Sequence, residues 1–253
     1  MPDSVAQFVK RNQSRYEDHL LREAHGLDAL RRAAVGTGID VPAVIHVTSE
    51  TLVMPCIRSV RCSTVQWRRL GQGLAAIHGR AQPRFGFEED NYIGLNPQPN
   101  TFSDSWGSFF LQQRLAFQVG LIADRQRHRY FSQRLQQKAV RIQEFLDGQS
   151  VVPGLVHGDL WNGNVLCGDD GRVWLIDPAA YYGDAEVDLA MSEMFGGFPA
   201  EFYAAYRACR PESLAWSLKK GIYNLYHYLN HLNLFGDAYL SSCEAGFAML
   251  EKI

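Results

Sequence analysis

Asp159, Asn164 and Asp177 are the residues whose types and spacing could do chemistry. The first two lie five positions apart in Leu155-Val-His-Gly-Asp-Leu-Trp-Asn-Gly-Asn-Val-Leu166, the His-x-Asp-x-x-x-x-Asn spacing of catalytic loops that transfer phosphoryl groups. A carboxylate at Asp159 can take the proton of a substrate hydroxyl while a cation neutralises the phosphate oxygens. Asn164 and Asp177 would supply that cation with the oxygen donors that Mg²⁺ prefers, which implies a nucleotide–metal site. His-Gly-Asp alone is a weak signal, because turns collect Gly, Asp and Asn for conformational reasons. The signal comes from the whole set, with Asp177 placed after two short apolar runs.

The elements that position these groups can be read outward from them. Val165-Leu-Cys167, the turn-rich Gly168-Asp-Asp-Gly-Arg172 and Val173-Trp-Leu-Ile176 read as a hairpin. Closing it pairs Val165 with Ile176, so that Asn164 faces Asp177 at roughly 4.5–5.5 Å. Near the start, Val5–Lys10 reads as a strand and Tyr16–Ala34 as an amphipathic helix with Leu20, Ala24, Leu27, Leu30 and Ala34 on its buried stripe. Glu23 points towards that stripe and needs a partner. Lys10, the first lysine in a chain whose next is Lys138, is the natural one, since a strand lysine paired with a helix glutamate holds nucleotide phosphates in kinases.

Further segments follow the same logic. Ala43–Val47 and Thr51–Met54 form a second hairpin, and Ser63–Arg80 a helix with Trp67, Leu70, Leu74 and Ile77 on one face and His78 near its end. Arg84–Asn100 reads as a long irregular loop. Two helices follow, roughly Ser103–Leu121 and Asp124–Asp147 with Gly148 as a stop, and the chain is again helical from Leu189. His227 and His231 stand one helical turn apart, but lack the glutamate of a zinc-protease helix. Packing of Tyr223, Tyr226, Leu229 and Phe235 accounts better for that segment.

His157-Gly-Asp-Leu-Trp-Asn-Gly-Asn164, Ile176-Asp-Pro-Ala-Ala-Tyr-Tyr-Gly183, Glu186-Val-Asp-Leu-Ala190 and Phe195-Gly-Gly-Phe-Pro199 together resemble the fructosamine kinase (ketosamine 3-kinase) family. Phe8-Val-Lys10, Phe85-Gly86, Asp90-Asn-Tyr-Ile-Gly94, Pro97-Gln-Pro-Asn100 and Asn233-Leu-Phe-Gly236 extend the resemblance over nearly the whole chain. It implies an α+β, two-lobed protein-kinase-like fold of the aminoglycoside-phosphotransferase branch. The small sheet lobe would occupy residues 1–57 and a larger helical lobe residues 58–253. The implied activity is ATP- and Mg²⁺-dependent phosphorylation of a sugar hydroxyl on a ketosamine, free or carried on a glycated protein. By the same resemblance Met54, Pro55 and Ile57 form the hinge that holds adenine, and Trp161, Asp90 and Asn91 lie at the sugar site. His157 and Asp188 are expected to support the catalytic loop.

Composition narrows the rest. A net charge of −2 leaves no basic footprint for nucleic acid. No run approaches the ~18 apolar residues of a membrane span, and the polar start lacks the basic region of a signal peptide, so a cytoplasmic protein is expected. The cysteines, five in number, form no Cys-x-x-Cys pair, so reduced thiols are expected. Only about nine residues precede Lys10, too few for two strands of roughly five residues and a phosphate-covering glycine turn. A late start codon, a working enzyme without that flap, or a silent binding protein would each fit. Asp177-Pro-Ala in place of Asp-Phe-Gly disfavours a protein kinase, and the absence of Gly-x-Ser-x-Gly disfavours a serine hydrolase. The nearest rival is a kinase of another small alcohol, such as an aminoglycoside, choline or an amino alcohol. The sequence leaves the oligomeric state open.

Overall fold

A small antiparallel sheet forms first, because short apolar-alternating runs flank one amphipathic helix. The computed structural model describes residues 6–253. Of the strand expected over Val5–Lys10, Val5 alone lies outside that range. In chain order come β1 (Gln7–Arg11), α1 (His19–Ala34), β2 (His46–Val47) and β3 (Thr51–Pro55). The strands pair in the order β1-β3-β2, with Lys10 opposite Leu52. The predicted stripe of α1, from Leu20 to Ala34, is buried, and so is Glu23. This helix starts later than Tyr16 because Asn12 binds the Tyr16 carbonyl and holds the approach in a turn.

Beyond β3 the chain forms β4 (Ser59–Val60) and α2 (Thr64–His78). Ser63 and Gln66 make a reciprocal cap at the start of α2, satisfying two otherwise orphaned N–H groups. The stretch expected to be an irregular loop contains β5 (Asn91–Ile93) and β6 (Asn96–Gln98), a hairpin. Its polar composition hid it. Asn91, Gln98 and Asn100 are buried, and hydrogen bonds to one another and to the Ala179 and Ala180 carbonyls satisfy them.

The two predicted helices follow. α3 (Trp106–Phe110) runs through a π-helical stretch, Leu111–Ala116, into α4 (Phe117–Gly120). The second is α5 (Arg125–Asp147), capped by Asp124 and ended at Gly148. Then come β7 (Gly154–Val156), β8 (Val165–Gly168), β9 (Val173–Leu175), β10 (Tyr181–Gly183) and α6 (Glu186–Ser192). The chain closes with α7 (Ala200–Cys209), α8 (Trp216–Phe235) and α9 (Leu240–Met249). Tyr223, Tyr226 and Leu229 are buried as packing predicts, but Phe235 is 62% exposed. His231 Nδ1 bonds the His227 carbonyl of its own helix. Among the described residues, no helix is long and apolar enough to cross a membrane.

Two local expectations are corrected. Val165 pairs with Leu175, one step short of Ile176, because Gly168 bonds the Arg172 carbonyl and the turn closes around Asp169–Gly171. The reduced-thiol expectation fails at Cys62 and Cys167, which form a disulfide. Antiparallel pairing of β4 with β8 brings their Cα atoms within 5.2 Å, inside the range a disulfide needs. Sequence spacing could not show this, since the partners are 105 residues apart.

Candidate active site

β7 delivers His157-Gly158-Asp159 to the point where the small sheet meets the helices. Gly158 has φ +80°, and a Cβ there would lie 2.1 Å from the Ala179 carbonyl oxygen, so only glycine fits. The Asp188 carboxylate, in the first turn of α6, accepts the N–H groups of His157 (2.7 Å) and Gly158 (2.9 Å) and the Nε2–H of His78 (3.1 Å). Burial would raise its pKa. The His78 bond and the neighbouring histidines outweigh burial and hold it below the usual carboxylate range. His78, expected only as a helix-terminal residue, also bonds the Tyr206 hydroxyl at 2.8 Å.

His157 completes this support. Its Nε2 donates to the Ile176 carbonyl (2.9 Å), so Nδ1 is free to accept the Asp159 N–H (3.2 Å). Burial lowers its pKa and keeps the ring neutral, as that pattern requires.

Asp159, Asn164, Asp177, Lys10 and Glu23 converge in front of this frame. Asn164 Nδ2 donates to the Asp159 carbonyl (2.8 Å) and to Asp159 Oδ2 (3.1 Å). Among the described residues no donor reaches Asn164 Oδ1, which leaves an oxygen available on a residue that lines the same cavity as Asp177. An amide oxygen and a carboxylate make an all-oxygen donor set, which suits a hard divalent cation. Lys10 Nζ lies 2.8 Å from both Glu23 oxygens and 3.1 Å from Asp177 Oδ2. Burial alone would lower Lys10, but the Glu23 and Asp177 carboxylates raise it above its ordinary value. Burial pushes Glu23 up to about 7, with Lys10 working against the rise. Asp159 is also pushed up to about 7, first by burial and then by the charge of Asp177, while the Asn164 bond opposes the shift.

Three cavities meet at these residues. A polar one of about 210 Å³ is lined by Lys10, Arg22, Glu23, Asp159, Asn164 and Asp177, with Trp161 and Asn91 also on its wall. An apolar slot of about 250 Å³ lies between Phe8, Met54, Pro55 and Ile57 on one side and Leu166 and Ile176 on the other. The third, of about 360 Å³, reaches from Asp159 and Trp161 to Phe195, His231, Phe235 and Tyr239.

Asp90 does not line any of the three; its carboxylate accepts the Asn100 N–H (2.7 Å) and fixes the β5–β6 hairpin. Asn91 reaches the polar cavity, with its amide committed to Ala180, Gln98 and Asn100. Sequence reasoning missed Phe8, Leu166 and Ile176 in the slot. It also missed Arg22, which ion-pairs with Asp18 and Glu89 beside the polar cavity, and, apart from Trp161, the aromatic wall of the third. Phe8 and Phe235 lay within the quoted motifs, which was the available signal.

A family model described as fructosamine kinase matches residues 3–252. The chain belongs to the fructosamine kinase family. This fructosamine kinase family member is 43% identical over 242 residues to a probable ketoamine kinase of Synechocystis, covering 92% of this chain and 78% of that protein. A chloroplastic protein-ribulosamine 3-kinase of Oryza sativa is 35% identical over 246 residues, 95% of this chain and 71% of its own length. Both relatives extend beyond the aligned stretch. The crystal structure of a candidate fructosamine-3-kinase from Thermobifida fusca superposes with a TM-score of 0.83 at 29% identity, covering 100% of this chain and 88% of that one. The α+β kinase-like fold is therefore shared with that structure.

Proposed function

We propose that this fructosamine kinase family member transfers the terminal phosphoryl group of ATP to the 3-hydroxyl of a ketosamine, of fructosamine or ribulosamine type, free or on a glycated protein. The observation that carries this reading is the position of Asp159, which lines both the polar cavity with Lys10, Asn164 and Asp177 and the aromatic cavity beside Trp161. Of the titratable side chains lining these two cavities, it is the one that the phosphate side and the acceptor side share.

The residues divide the work as follows. Phe8, Met54, Leu166 and Ile176 enclose the adenine ring, and the Pro55 carbonyl is available to it at the hinge, between segments 1–57 and 58–253. Lys10, held straight by Glu23, meets the phosphate oxygens through charge-assisted hydrogen bonds. Asn164 Oδ1 and Asp177 hold Mg²⁺, which when bound supplies positive charge against the phosphate oxygens. Asp159 takes the proton of the acceptor hydroxyl. Burial, the largest cause of its raised pKa, makes it a better proton acceptor than an exposed carboxylate. Asn164 orients it by donating to Oδ2, and His157 fixes its backbone.

The test is ADP release measured across ketosamines, aminoglycosides and choline, with two variants. Asp159→Asn keeps fold and nucleotide binding and loses about 10²–10⁴-fold in kcat. Asp177→Asn instead raises the Mg²⁺ concentration needed for half-maximal rate. Undiminished turnover in Asp159→Asn would end the base assignment. No ADP release with any ketosamine would end the substrate assignment.

A further inference from the structure

The cavity on the acceptor side of Asp159 is walled by linked aromatic rings. Trp161 meets Phe195 (centroids 6.2 Å apart) and Phe195 meets His231 (5.3 Å). His231 in turn meets Phe235 (5.4 Å) and Tyr239 (4.8 Å). Core packing does not explain this wall, since Phe195 is 47% and Phe235 62% exposed.

The backbone holds the rings in place at a cost. Phe195 sits at φ +54°, a region that bulky residues avoid. Its loop is tied to the catalytic loop by Asn162 Nδ2, which donates to the Gly197 carbonyl at 3.1 Å. Phe235 ends α8 just before Gly236, whose φ is +72°.

The charges around this cavity all favour one sign. Among the described residues no lysine or arginine lines it, and Asp159 is its single carboxylate. His231 Nδ1–H donates to the His227 carbonyl, and burial lowers the ring's pKa, so His231 adds no positive charge at neutral pH.

We propose that this aromatic wall binds the protonated amine of the acceptor, so that the enzyme recognises the charged nitrogen and its substituent as well as the sugar. The inference rests on the ketosamine reading above and extends it. Ring faces carry negative electrostatic potential and attract a cation within about 6 Å. A neutral sugar would instead need many hydrogen-bonding groups, and besides Asp159 the side chains lining this cavity offer few, those of Trp161, Asn230, His231 and Tyr239. In a ketosamine three bonds separate the nitrogen from the carbon bearing the 3-hydroxyl. With bonds of about 1.5 Å, the nitrogen therefore stays within roughly 5 Å of that oxygen. An acceptor whose hydroxyl meets Asp159 thus carries its amine to the mouth of the ring-lined cavity, with the N-substituent directed along Phe195, His231 and Phe235.

The experiment compares 1-deoxy-1-propylaminofructose with 1-O-propylfructose, which replaces the cationic nitrogen by neutral oxygen at nearly equal shape. The wild type is expected to show a KM at least about 10-fold lower for the amine, the span of one to two cation–π contacts. Phe235→Leu narrows that preference by about 2- to 30-fold, and Phe235→Trp restores it, with KM for ATP unchanged in both. Equal KM changes for the two acceptors in Phe235→Leu, or no amine preference in the wild type, overturn the inference. If neither acceptor is phosphorylated, the ketosamine reading has failed, and quenching of tryptophan fluorescence judges the wall alone. Saturable quenching by N-methylpropylammonium but not by propanol, weakened in Phe235→Leu, then supports cation binding; any other outcome of that titration overturns it.

Discussion

Asp188→Asn tests whether a buried carboxylate that lines none of the three cavities holds the catalytic loop in shape. The wild-type carboxylate accepts three donors, the N–H groups of His157 and Gly158 and Nε2–H of His78, with its side chain only 1% exposed. Hydrogen bonds to a charged group contribute about 1.5–3 kcal/mol each, and a buried donor left without a partner costs about 1–3 kcal/mol. Asparagine has the same shape but only one acceptor oxygen, and its NH₂ must face at least one of those donors. Losing one charged bond and creating one donor–donor conflict gives about 3–5 kcal/mol of destabilisation, the range for breaking a buried charge partnership. For a chain of this size that corresponds to a fall in melting temperature of roughly 6–20 °C.

The pH dependence has a definite sign. Asp188 is depressed in the folded state, so its contribution is present above the unfolded carboxylate value of about 3.9 and is lost as pH falls through the lower folded value. The gap between wild type and variant is therefore full at pH 7 and closes only in acid. Melting curves by circular dichroism at pH 7 and pH 3, with ADP release on the folded variant, provide the measurement. A melting temperature within about 2 °C of wild type at pH 7, with turnover intact, would refute the reasoning.

Two further experiments probe the same site. Lys10→Met and Glu23→Gln are each expected to depress phosphoryl transfer, and the double variant to be little worse than Lys10→Met alone, because Nζ touches both Glu23 oxygens; additive losses measured by ADP release would show the two acting separately. Gly158→Ala is expected to cost more than about 2 kcal/mol in urea unfolding, since left-handed φ alone costs a side chain roughly 1–2 kcal/mol and the new Cβ meets the Ala179 carbonyl; an unchanged midpoint would contradict the close approach.

What the sequence made legible was local or was forced by an energetic conflict. Asp159 and Asn164 are joined by one short loop, and Asp177 follows one hairpin later, so spacing was enough to bring them together. The Lys10–Glu23 pair was legible because a carboxylate facing an apolar stripe must find a partner. The β5–β6 hairpin was not legible, because its buried Asn and Gln side chains look like loop composition until their mutual hydrogen bonds are seen. The aromatic wall escaped for a different reason. Trp161 was expected at the sugar site, but Phe195, His231 and Tyr239 come from separate segments, and each has an ordinary local explanation as a loop or helix-packing residue. Helix packing accounts for Phe235 on the same ground, and its 62% exposure is what sets it apart in the structure.

The misread register of the catalytic hairpin bears on how Asp177 reaches its partners. Asn164 lies opposite Ile176, since Ile176 N–H donates to the Asn164 carbonyl at 3.1 Å. Successive strand residues point to opposite faces, so a simple continuation of β9 would send residue 177 away from the side that Ile176 leaves. Asp177 instead adopts φ +52°, a left-handed conformation that aspartate tolerates better than most residues. The chain turns there, and the carboxylate comes within 3.1 Å of Lys10 while its carbonyl stays near Asn164 Nδ2. Pro178 follows, with its own φ fixed, and Ala179 N–H then bonds the His157 carbonyl. The turn is thus pinned on both sides by backbone bonds to the segments that carry Asp159 and Asn164. One local backbone conformation, which strand pairing does not encode, sets the distance between the two candidate cation ligands and the lysine that faces the phosphates.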